Sequence, residues 1–77
     1  MNATRRKKLV TVQDNLEAVK EKLEEILEEE EEARDNIPES LQGSERYERS
    51  NAACNAISAA IDSIEEAFNS IEEACMQ

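Results

Sequence analysis

Residues 44–75 read SERYERSNAACNAISAAIDSIEEAFNSIEEAC, and their spacing decides the fold. Tyr47, Ser50, Cys54, Ile57, Ile61, Ile64, Phe68, Ile71 and Cys75 fall at alternating steps of three and four. A repeat of about 3.5 residues holds one seam of a helix against a partner helix over several heptads. The first half carries a matching ladder: Leu9, Val12, Leu16, Val19, Leu23, Ile26, Glu30, Ala33 and Ile37. Pro38 and Gly43 separate the two. The pattern predicts an all-α fold, an antiparallel two-helix hairpin with heptad packing. It forms one domain over residues 1–77, with a helix at about 4–35, a turn at about 36–43 and a helix at about 44–75.

The ends of the helices are marked by capping chemistry. Thr4 or Asn2 suits the first N-cap, and Asn36 suits a left-handed C-terminal residue. Pro38 cannot continue the first helix but can open a short turn of its own. Ser44 caps the second helix, with Glu45 and Glu48 placed against its positive end.

The register follows from burying polar with polar. Pairs whose numbers add to about 80 set Glu30 opposite Ser50, so each ladder's polar residue meets the other's; the next register buries Glu30 against Ile57, and an unpartnered carboxylate is costly to desolvate. The preferred register pairs Ala33 with Tyr47, Ile26 with Cys54, Leu23 with Ile57, Val19 with Ile61, Leu16 with Ile64, Val12 with Phe68 and Leu9 with Ile71.

Self-association is expected from size. The chain has 77 residues, 39% hydrophobic and 36% charged. A hairpin buries one narrow stripe per helix, whereas ordering costs about 1.5 kcal/mol per residue. Domains this small gain stability by oligomerising. In the second helix one flanking row is alanine at every position after Tyr47, namely Ala53, Ala60, Ala67 and Ala74. Alanine there favours helix in any setting, and it also admits close approach of another helix. The row predicts an oligomer interface, and Leu27, on the other flank of the first helix, can join the same interface or a second one. A four-helix bundle or higher oligomer is the expected assembly.

The chemistry of the side chains argues against catalysis. Histidine and tryptophan are absent and the single glycine lies in the turn. No phosphate-binding glycine loop, metal-spaced Cys/His set or activated nucleophile is present. No enzyme activity, metal or other cofactor is expected. Cys54 and Cys75 lie about 31 Å apart along one helix, too far to bond within a chain, and read as small buried hydrophobes. No apolar run reaches membrane-spanning length, and the basic start lacks the apolar stretch of a signal peptide. The expectation is a cytosolic protein that binds neither membrane nor, at net charge −10, nucleic acid.

Charge is instead strongly polarised. Between Glu21 and Asp35 the carboxylates greatly outnumber Lys22 and Arg34. Over about 22 Å of helix this gives one net negative charge every ~3 Å, close to the spacing along a DNA strand. Two readings stay open: a solubilising face, or a surface of Glu24, Glu25, Glu28, Glu31 and Glu32 that occupies a basic groove of a partner protein. Arg5, Arg6, Lys7 and Lys8 oppose the dipole of their own helix. Pairing with Glu72, Glu73 and the second helix's C-terminus explains them, and an anion site is the alternative. Arg46, Tyr47 and Arg49 form another conceivable anion site, although Tyr47 also belongs to the core ladder.

The stretch Asp35-Asn36-Ile37-Pro38-Glu39-Ser40-Leu41-Gln42-Gly43-Ser44-Glu45-Arg46-Tyr47-Glu48, followed by AISAAIDSIEEA at 56–67, resembles small helical-hairpin accessory proteins of bacterial phages and prophages. The resemblance implies context, an accessory phage protein for which binding and disabling a host factor is a common task, and no activity assignable to particular residues. The expected function is that of a non-enzymatic oligomer that binds a host or phage protein, such as a host defence protein, by stoichiometric occupancy through its acidic helix. The alternative function is an oligomeric sponge that sequesters an anionic signalling nucleotide at its basic ends.

Overall fold

A computed structural model describes residues 1–77. Helix α1 (Ala3–Asp35) and helix α2 (Glu45–Cys75) pack side by side as an antiparallel hairpin. The molecule measures 59 × 15 × 12 Å.

Each helix starts at a side-chain cap. Asn2 Oδ1 accepts from the Arg5 backbone N–H at 2.8 Å, and Ser44 Oγ accepts from the Tyr47 N–H at 3.3 Å. Both satisfy amides that the first turn leaves without a helical partner. Glu45 and Glu48 occupy the first turn of α2 as expected. Pro38 opens a 3-10 turn, Glu39–Leu41, whose last N–H reaches the Pro38 carbonyl at 2.8 Å. Asn36 corrects one expectation. It ends α1 in the right-handed region (φ −82°), donating to the Glu32 carbonyl. Pro38, two residues on, stops the helix, so a left-handed residue is not needed.

The register is the expected one, because the Ser50 hydroxyl donates to Glu30 Oε1 at 2.8 Å. The α2 ladder is also as read, with every rung from Tyr47 to Cys75 buried or half-buried. Helix α1 is rotated relative to its expected ladder. Leu9, Leu16, Leu23, Glu30 and Ile37 face α2, but the second row of the seam is Gln13, Lys20, Leu27 and Arg34. Val12, Val19 and Ile26 are 43%, 50% and 41% exposed, and Ala33 is exposed rather than packed beneath Tyr47. The full pairings of Val12 with Phe68, Val19 with Ile61 and Ile26 with Cys54 are therefore not made.

One partner helix explains the rotation. Rows 12 and 13 lie about 100° apart on α1, so a single neighbour covers one of them. The row turned inward is the one whose polar ends find partners on α2.

Candidate functional site

The two flanks of the α1–α2 seam differ in chemistry. On one flank Gln13, only 5% exposed, donates through Nε2 to the Phe68 carbonyl at 3.2 Å and to Glu72 Oε2 at 2.9 Å. Lys20 Nζ lies 2.9 Å from Glu65 Oε1. That hydrogen-bonded ion pair holds the lysine above its ordinary pKa. Arg34 donates to Asn51 Oδ1 at 3.1 Å and to Asp35 Oδ1 at 3.0 Å, and the neighbouring Asp35 carboxylate raises its pKa. No buried side-chain donor or acceptor is left without a partner. The apolar ladder hid this flank from a reading by hydrophobicity. Its signal was present as complementary pairs (13 with 72, 20 with 65, 34 with 51) whose numbers all add to 85, each reaching about one turn along α2 beyond the core rungs that add to about 80.

The other flank carries Val12, Val19 and Ile26 on α1. On α2 it carries the alanine row, of which Ala53, Ala60 and Ala74 are half-buried and Ala67 is exposed. In the observed register Val12 lies level with Ala67, Val19 with Ala60, and Ile26 with Ala53. Leu27 lies apart from these, half-buried in the polar flank between Lys20 and Arg34.

Glu24, Glu25, Glu28, Glu31 and Glu32 are all exposed on α1. Lys20 approaches Glu24 at 3.9 Å and Lys22 approaches Glu25 at 3.8 Å. Glu28, Glu31 and Glu32 have no cation within ion-pairing distance. These side chains line up along the outer surface toward the hairpin tip.

At the opposite end the expected ion pairs of Arg5, Arg6, Lys7 and Lys8 with Glu72 and Glu73 do not form. Glu72 is held by Gln13 instead. Arg6 donates through Nε to the Cys75 carbonyl at 3.1 Å, a cation on the negative end of α2. Arg5, Lys7 and Lys8 project into solvent.

Arg46 and Arg49 share a groove of about 530 Å³ near the tip with Glu30, Ala33, Ile37, Glu45 and Ser50. Tyr47 is not among its walls; it is half-buried in the seam. Arg49 is paired with Glu45, whereas Arg46 has no carboxylate within ion-pairing distance. A second groove, about 270 Å³, is walled by Glu17, Lys20, Ile64, Glu65, Phe68 and Asn69. No three His, Cys, Asp or Glu side chains converge as a metal site, and no helix is long and apolar enough to cross a membrane. Cys54 is buried and Cys75 half-buried, both as free thiols. The chain matches no family model, no curated protein and no solved structure.

Proposed function

We propose that the chain is a non-enzymatic, self-associating interaction protein that binds a basic protein surface through α1. The observation that carries this reading is the row of exposed carboxylates ending in Glu28, Glu31 and Glu32, which no cation of the chain neutralises. A rigid helix fixes their spacing, so a groove of matched positive charge gains long-range attraction at little cost in ordering. In the setting that the sequence resemblance suggests, a phage accessory factor acting in host cytosol, the partner is a host defence protein inhibited by occupancy. The alanine row and the exposed valines support self-association as the frame that presents this surface.

The test is a variant with Glu24, Glu25, Glu28, Glu31 and Glu32 changed to Gln, compared with wild type for capture of a purified partner. The expected outcome is lost binding with unchanged helicity and mass. Wild-type binding should also weaken steeply with salt, because exposed charges are screened within about 10 Å at 0.1 M. Full binding by the Gln variant would remove the acidic surface from the mechanism.

A second reading, a sponge for an anionic nucleotide, is favoured by Arg5, Lys7 and Lys8, which no carboxylate of the chain pairs. Equilibrium dialysis against a cyclic dinucleotide separates the readings. Retention that disappears when Arg5, Arg6, Lys7 and Lys8 become Gln supports the sponge.

A further inference from the structure

The hairpin leaves one face unfinished. Val12, Val19 and Ile26 stand about half exposed, while Gln13, Lys20 and Arg34 take the seam positions beside them. The apolar stripe of α1 is therefore centred outside the contact with α2. The level alanines of α2 extend it, so the apolar surface spans both helices. Around it the charge also changes character. In a chain of net charge −10, helical periodicity places a single carboxylate, Glu29, on the α1 edge of this face and none on its α2 edge, where Arg49 stands.

Area points the same way. The chain exposes 5719 Å², whereas a compact monomer of 8.7 kDa would expose about 4,700 Å². The surplus, about 1,000 Å², is close to the ~800 Å² that each partner contributes to a stable interface.

We propose that this face is covered by a second copy of the chain, related by a two-fold axis parallel to the long axis of the hairpin. This rests on the self-association proposed above and specifies which rows meet. A two-fold in that direction preserves levels and sets α1 of one copy antiparallel to α2 of the other. Val12 then meets Ala67 of the second copy, Val19 meets Ala60, and Ile26 meets Ala53. Each layer pairs a large side chain with a small one, which packs four helices at even spacing. The two-fold across the hairpin instead stacks Val19 on Val19 along α1 and alanine on alanine along α2, and the unequal layers splay the bundle. The chosen axis also sets Glu29 level with Arg49 of the second copy, so the lone carboxylate of the face stands opposite a cation that it shares with Glu45 of that copy.

The test uses the full chain with Cys54 and Cys75 replaced by Ala. Chains carrying Val19→Cys are mixed with chains carrying Ala60→Cys, equilibrated and oxidised, and the wild-type mass is measured by light scattering. The expected result is a mass of twice 8.7 kDa and a disulfide-linked heterodimer as the main product, with each variant alone failing to cross-link. Efficient cross-linking of Val19→Cys alone would overturn the axis while leaving self-association standing. A wild-type mass of 8.7 kDa across the micromolar range would overturn the second copy itself, and self-association with it, while binding of a basic partner through α1 is judged separately by the Gln variant. Val19→Glu, read by mass and by helicity together, should halve the mass; an unchanged dimer would equally overturn the proposal.

Discussion

The two flanks of the seam make the same contact with α2 in opposite ways. One is finished within a single chain: Gln13, Lys20 and Arg34 each reach a named partner on α2 or beside it. The other is left with Val12, Val19 and Ile26 about half exposed beside alanines. The comparison teaches that polar complementarity, rather than hydrophobic content, set the rotation of α1. A hydrogen bond to a specific partner can be satisfied only at one place, whereas apolar burial can be completed by any neighbour of suitable shape.

The sharpest way to break the comparison is to remove the apolar flank. Changing Val12, Val19 and Ile26 together to Ser should cost about 3–6 kcal/mol if a partner buries them in solution, a large share of a small domain's stability. Urea unfolding at several protein concentrations measures this, and wild-type stability should rise with concentration while the variant's does not. A loss below about 1 kcal/mol would mean that the flank stays in water.

The polar flank should respond more weakly and without dependence on concentration. Gln13→Ala removes two hydrogen bonds from a buried position and should cost about 1–2 kcal/mol. Ser50→Ala, which strips Glu30 of its hydroxyl partner near the hairpin tip, should cost about 1 kcal/mol. Hydrogen exchange of α1 in the Ser50→Ala variant checks whether the register holds.

Smaller still is the contribution of the basic end. Replacing Arg5, Arg6, Lys7 and Lys8 with Gln removes only the Arg6 contact with the α2 terminus and should lower stability by about 0.3–1 kcal/mol. A thermal melt at low salt measures it.

Last comes the Lys20–Glu65 pair, read through pH. Because the folded pKa of Lys20 is raised, the folded state holds that proton more tightly than the unfolded chain. The stabilisation is complete below the unfolded lysine pKa and is lost as pH rises through the higher folded value. Wild type should therefore lose stability in this alkaline window more steeply than Lys20→Gln. Parallel slopes would show that the pair is not held in solution.

Much of the fold was legible because its causes are local. Asn2 and Ser44 cap amides within three residues of themselves, and Pro38 stops a helix wherever it stands. The α2 ladder needs only its own spacing, and the register follows from two polar residues, Glu30 and Ser50. The acidic surface of α1 was legible as charge: its exposed carboxylates stand where the spacing put them. The role of Gln13 and the absence of ion pairs at Arg5, Lys7 and Lys8 were not legible, since both depend on which α1 side chains come opposite Glu72 and Glu73 when the hairpin closes.

The sequence by itself thus determined two helices, their ends, their register and the acidic outer surface of α1. Only the tertiary structure decided which row of α1 enters the seam. Rows 12 and 13 are adjacent and about 100° apart, both flank the same leucines, and a helix on its own has no preference between them. The choice was made by side chains on α2, Glu72, Glu65 and Asn51, which are distant in sequence and become neighbours only when the hairpin closes.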